Sequence, residues 1–168
     1  MGNHESANVY RLKKDIAKWD LRNIQADVTK FNIVFSIQNF SKRLEVVGQQ
    51  IRSATCVIQN LDRLEWCLDI YPNGFDQDSK EYVSVFLILL KPERVKVKLK
   101  FSILNDKEEK ENVIIAKNVI KLGKNEGGGP RKFIKKDLLL NESNGLLIND
   151  KLRVLCKVET IETGNTEA

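Results

Sequence analysis

Residues 64–90 constrain the fold more than any other stretch of the chain. Leu64, Trp66, Leu68 and Ile70 alternate with Glu65, Cys67, Asp69 and Tyr71. A period of two puts one set on a buried sheet face and the other on the opposite face. Pro72-Asn73-Gly74 ends that strand, because proline has no amide for a ladder and Asn-Gly accepts positive φ. A polar link from Asp76 to Lys80 leads into a second strand, Tyr82 to Leu90, which is apolar at both parities. Val83, Val85, Leu87 and Leu89 match the buried side. Phe86, Ile88 and Leu90 take the side that an antiparallel sheet usually turns to water. A loop, another segment of the chain or a partner has to cover Phe86 and Ile88.

The same period recurs on either side of this stretch. Phe31, Val34, Phe35 and Ile37 predict a strand, and Ile51 to Ile58 another, followed by a turn at Asn60 to Arg63. Val95, Val97, Leu99, Phe101 and Ile103 alternate with Lys96, Lys98 and Lys100, so the lysines form an outward stripe. A charged turn over Asn105 to Asn112 leads to a strand ending near Leu122, and Gly123 to Pro130 reads as a flexible loop. Asp137 is placed to cap a helical turn through Leu140, closed near Gly145. Leu152, Val154, Cys156 and Val158 give the last strand. The fold expected is all-β, an antiparallel sandwich of about eight strands.

At the amino terminus, Val9, Leu12, Ile16 and Trp19 predict a short amphipathic helix over residues 9–20, either packed on the domain or facing a membrane or partner. Met1 to Ser6 satisfies the loose myristoylation pattern at Gly2, a pattern short enough to recur by chance, and no membrane partner is expected. The organisation expected is an extension over residues 1–27, part helical, one β domain over 28–160 and a disordered tail over 161–168.

With 42% hydrophobic residues, the chain of 168 has material for one real core. No window approaches the roughly 18 apolar residues of a membrane span, and the polar start is no secretory signal. Cys56, Cys67 and Cys156 show no metal spacing and are expected to be buried thiols in a reducing compartment, nuclear or cytoplasmic. The formal charge of +5 leaves open a second class of function, non-specific binding of nucleic acid or anionic surfaces. That class lacks the aromatic interleaving of single-strand platforms, and no specific nucleic-acid partner is expected.

Enzymatic chemistry finds no support. The only histidine is His4, so a Ser-His or Cys-His nucleophile is not expected. No HExxH, EF-hand or paired CxxC occurs, and the Gly123 to Pro130 segment lacks the Gly-Lys-Ser/Thr ending of a phosphate cradle. No catalytic residue, cofactor or metal is assigned, and the residues read as a binding protein.

Several segments in order carry a family resemblance. They are Phe35 to Ser41, Gly48 with Ile51 to Ser53, Trp66 to Leu68 with Tyr71 to Gly74, and Tyr82 to Leu87. Lys100 to Asn105, Lys132 to Leu139 and Asn144 to Leu152 follow. Together they resemble the MATH domain (meprin and TRAF homology), and most closely the substrate-binding domain of speckle-type POZ proteins, from about Phe31 to Glu159. The resemblance implies a shallow groove on one sheet for a short extended peptide, often Ser/Thr-rich, from a target protein. In full-length relatives a following BTB domain recruits a cullin-type ubiquitin ligase, so the bound target is ubiquitinated and degraded. This chain is expected to lack that domain, and full-length MATH-BTB relatives are expected among its partners.

By the same resemblance the groove consists of Phe86, Leu99, Gly129 and Arg131. Phe86 stands where the family has a tyrosine, Leu99 where it has another aromatic, and Ile120 and Ala116 replace a tyrosine and a serine. Gly128 and Pro130 replace a tryptophan and a phenylalanine, while Gly129 matches and Arg131 keeps a lysine's charge. Loss of those anchors points to a different motif, more acidic, given Arg131 and the Lys96, Lys98, Lys100 stripe.

Overall fold

A computed structural model of the chain describes residues 17–22, 30–59 and 63–161. Their strands make two antiparallel sheets facing each other across one core, the sandwich that the alternation predicts. The first sheet runs β1 (Ala17–Arg22), β2 (Lys30–Ile37), β12 (Leu152–Ile161), β7 (Arg94–Leu104) and β8 (Lys110–Ile115). Beside β8, β9 (Ile120–Gly123) pairs with the first half of β7. The second sheet runs β10 (Gly127–Gly128), β6 (Tyr82–Lys91), β5 (Arg63–Tyr71) and β3 (Ile51–Arg52). β11 (Ile134–Lys135) extends it along β6, and β4 (Cys56–Gln59) along β5.

The inward parities are the expected ones. Trp66, Leu68 and Ile70 of β5 and Val83, Val85, Leu87 and Leu89 of β6 are fully buried, opposite Val97, Leu99, Phe101 and Ile103 of β7. All three cysteines are buried free thiols. Burial holds the Cys67 thiol up at about 12, and burial likewise raises Cys156.

Several sequence expectations need correction. Residues 17–20, assigned to the end of a helix over 9–20, belong instead to strand β1, which runs to Arg22 antiparallel to β2. Ala17, Trp19 and Leu21 alternate with Lys18, Asp20 and Arg22, so the local period is two, and an open edge of β2 accepts the strand. Residues 9–16, and Gly2 with its acylation pattern, lie outside the described residues. The single strand over Ile51 to Ile58 is two, broken where the Ser53 hydroxyl accepts the Leu68 amide at 2.9 Å in place of a ladder carbonyl. The one strand after the charged turn is also two, β8 and β9. The short helix, α1 (Lys136–Leu140), forms where expected, but Asp137 lies in its first turn and provides no cap. β12 continues to Ile161; residues 162–168 are outside the described set.

The glycine-rich segment is the largest departure. Instead of a loose loop it forms β10 against Leu87 and Ile88, bracketed by hydrogen bonds from the Leu89 amide to the Glu126 carbonyl and from the Val85 amide to the Pro130 carbonyl, both 3.0 Å. Close approach is the reason for its composition. A Cβ on Gly127 would run into Cδ1 of Ile88, and one on Gly129, whose φ is +155°, into the Val85 carbonyl oxygen. Missing side chains here let a strand press onto β6.

Candidate functional site

The outer face of the second sheet carries the apolar residues that the sequence left uncovered. Phe86 packs its ring edge-on against Tyr71 of β5 at 5.7 Å between centroids and against Phe75 at 5.3 Å; Tyr71 and Phe75 are 5.1 Å apart. Such edge-to-face pairs each add about 0.5–1.5 kcal/mol beyond the area they bury. Self-packing covers the platform only in part, because Phe75 remains 43% exposed and Phe86 half-buried. Ile88, in contrast, is closed off, its Cδ1 laid against Gly127.

Local sequence explains why the platform is stiff. Gly74 turns the chain at φ +92°, with its amide on the Tyr71 carbonyl at 3.1 Å, so that Phe75 folds back over β5. Asn73 donates to the Glu45 carbonyl and accepts from Lys136, fixing the turn between two other segments. The Ser84 hydroxyl, fully buried between Tyr82 and Phe86, accepts the Phe75 amide at 2.9 Å and donates to the Arg131 carbonyl at 2.6 Å. One serine thus ties both rims of the platform to β6.

Arg131 stands at the edge. Its guanidinium lies 6.0 Å from the Phe75 ring centroid and 3.3 Å from Asp76. Asp76 also caps the 3₁₀ turn Gln77–Ser79 through the Ser79 amide and hydroxyl. The Ser79 hydrogen bonds and the nearby charge of Arg131 hold its carboxyl below the usual range.

On the other side of Phe86, Arg52 of β3 and Asp69 of β5 are cross-strand partners joined by two bonds, Nε to Oδ1 at 2.7 Å and Nη2 to Oδ2 at 2.9 Å. The Asp69 side chain is 4% exposed and that of Arg52 49%. The Asp69 hydrogen bonds raise the Arg52 pKa above its ordinary value; burial, with the Asp69 charge second, raises Tyr71. Phe86 is in turn the register partner of Asp69, so Arg52, Asp69 and Phe86 form one row across three strands.

Of the four residues that the resemblance assigns to the groove, Phe86 and Arg131 meet on this surface through Phe75, and Gly129 lies against the Phe86 backbone, its Cβ direction towards the core ring of Phe101. Leu99 does not reach the surface. It is buried in the core between the sheets, with Cδ1 3.3 Å from the place a Gly128 Cβ would occupy. Lys96, Lys98 and Lys100 belong to β7 of the first sheet and point from the opposite side of the sandwich, so they add no charge to this surface. Sequence reasoning missed Tyr71, Phe75, Ser84, Arg52 and Asp69. The signal for Ser84 was present, as the one polar side chain between Tyr82 and Leu90, and Asp69 stood among apolar neighbours on the outer parity of β5; nothing marked Phe75, which sits in the turn.

Among the described residues, no group of three or more His, Cys, Asp or Glu side chains is placed to hold a metal ion, and no helix is long and apolar enough to cross a membrane. The arrangement offers an apolar platform with cationic rims, a binding surface in chemical character.

Comparison with known proteins agrees with that character. The solved structure of Notothenia coriiceps TRAF5 matches with a TM-score of 0.58 and 13% identity over 80% of this chain and 75% of that one, a likeness of fold. The family model for the MATH domain matches residues 32–158, the bulk of both sheets. Domains of this kind are generally protein-interaction modules. The chain belongs to the MATH domain family.

Proposed function

We propose that the outer face of the second sheet holds a short extended peptide from a target protein, with Phe86, Phe75 and Tyr71 as its floor and Arg131 at its rim. One observation carries this reading: a stiffened aromatic cluster stays partly open on a sheet face, where packing alone would have closed it. The role that fits is that of a substrate-recognition module related to the speckle-type adaptors. It would select proteins for ubiquitin-dependent degradation in nucleus or cytoplasm, in company with ligase-recruiting BTB relatives. Selection of displayed random peptides tests it. Wild type should enrich one consensus that Phe86→Asp does not bind; enrichment of the same peptides by both proteins would overturn the reading.

A second reading has its own observation. On the first sheet Lys100 faces Lys157, and Lys96 faces Lys121, in direct register. Like charges placed opposite one another are destabilising, and an anionic polymer or surface would relieve them. Binding through this face would fall steeply with salt and ignore Phe86.

A further inference from the structure

We infer that Arg52 is the specificity residue of this surface, and that the peptide it selects carries a Glu or Asp two positions from a bulky apolar residue. The inference rests on the peptide-groove reading above and adds the chemistry of the ligand.

A guanidinium presents five N–H donors in a planar fork. Asp69 engages Nε and Nη2, which leaves Nη1 and the second hydrogen of Nη2 without a protein partner among the described residues. These form a second fork, of the geometry that a carboxylate fits with two parallel bonds. Asp69 does more than neutralise. It holds the guanidinium in one orientation from below, so the entropy of fixing a long side chain is spent before any ligand arrives. Exposure settles the sign of what a ligand meets. The carboxylate is buried and the guanidinium half-exposed, so the accessible side of the pair is cationic. At the far rim, Arg131 is also more exposed than its partner Asp76, at 53% against 38%. Each carboxylate is paired with an arginine that is the more exposed member of its pair, so a ligand meets the cation first.

The register gives the spacing. Asp69 and Phe86 are direct cross-strand partners, with Cβ atoms about 5 Å apart in such pairs. Arg52 is drawn over Asp69, which brings its guanidinium to within about one strand spacing, ~4.8 Å, of the strand that carries Phe86. In an extended ligand, side chains on one face recur every second residue, about 6.8 Å apart. An acid at one position and an aromatic or large aliphatic side chain two positions away reach the fork and the platform together.

Fluorescein-labelled nonapeptides test this, with Glu and Phe two positions apart in either order within Gly/Ser flanks, each beside a counterpart with Gln for Glu. Affinities are read by polarisation at about 0.15 M salt, where exposed long-range charge effects are largely screened. Wild type should bind one of the Glu peptides at least about ten-fold tighter than its Gln counterpart, the scale of a charge-assisted pair. The difference should shrink to about two-fold or less in Arg52→Lys, which keeps the charge and loses the fork. It should vanish in the Arg52→Gln, Asp69→Asn double variant, where no buried carboxylate is left unpaired; dispersed amide spectra verify that both variants fold. Equal affinity for Glu and Gln peptides, lost together in Phe86→Asp, would overturn the role of Arg52 and leave the groove standing. Failure of wild type to bind any peptide of the panel would overturn the motif, and the display selection then decides separately whether the groove binds peptides.

Discussion

Ser84 donates its hydroxyl to the Arg131 carbonyl at 2.6 Å from a fully buried position on β6. The same oxygen accepts the Phe75 amide, so a single atom couples the two loops that frame the aromatic platform. Replacement by alanine removes two hydrogen bonds at once, the partner of the Phe75 amide and that of the Arg131 carbonyl. Ser84→Ala should cost about 1–3 kcal/mol in urea unfolding, and it should also weaken peptide binding without touching a ligand. Unchanged stability would mean that the two loops hold their positions without this serine.

The pair beside the platform should respond asymmetrically. Arg52→Ala strands a buried carboxylate, and is expected to cost about 2 kcal/mol or more. Asp69→Ala leaves a guanidinium that water can reach, with an expected loss nearer 1 kcal/mol. Chemical denaturation of the two single variants checks the order. A larger loss from Asp69→Ala would contradict the assignment of Asp69 as the buried member.

The glycines of β10 give a graded series. Gly129→Ala meets backbone at positive φ and should lose about 2 kcal/mol or more. Gly127→Ala meets chiefly the end of the Ile88 side chain, which can turn aside, and touches backbone only at the Leu87 carbonyl oxygen, 3.3 Å away, so the loss should be smaller, about 1 kcal/mol. Thermal or urea unfolding separates them; equal costs would mean that β10 does not press onto β6 as described.

These residues show where the sequence was legible. Strict alternation in β5, β7 and β12 identified the sandwich, because a period of two is a local property that burial amplifies. Phe86 stood out for the same reason, as an apolar residue on the wrong parity. Residues whose role depends on what lies across a strand pair were not visible. Arg52 and Asp69 are 17 positions apart and meet only through the β3–β5 register. Phe75 is in the turn after β5 and joins the aromatic platform by folding back. Gly127 to Gly129 looked like a loop, since glycine is common both in mobile segments and where backbones approach closely, and composition alone does not separate the two. Leu99 shows the reverse error: its alternation placed it inside, and it remained inside despite the alignment with a groove aromatic.

Thiol chemistry offers a check on burial. The folded Cys67 value of about 12, against 9.0 for an ordinary thiol, keeps the group neutral at physiological pH. Iodoacetamide at pH 8 should leave Cys56, Cys67 and Cys156 unmodified in the native protein and label all three in denaturant, read by intact mass. Linkage runs the same way. A raised folded value contributes stability that is full below pH 9 and is lost as pH rises from about 9 towards about 12. Rapid native labelling of any of the three would contradict the packing described.

The most direct test of the account is amide chemical-shift mapping with a peptide taken from the display selection. The expected result is a continuous set of shifts across Arg52, Asp69, Phe75, Phe86, Gly129 and Arg131, with Lys96 to Lys100 and Lys157 unmoved. Lys98→Glu, Lys100→Glu should leave that affinity within about two-fold, because those side chains are on the other side of the sandwich and screened at 0.15 M salt. Shifts confined to β7 and β12, lost on the lysine reversal, would contradict the groove and assign binding to the basic face.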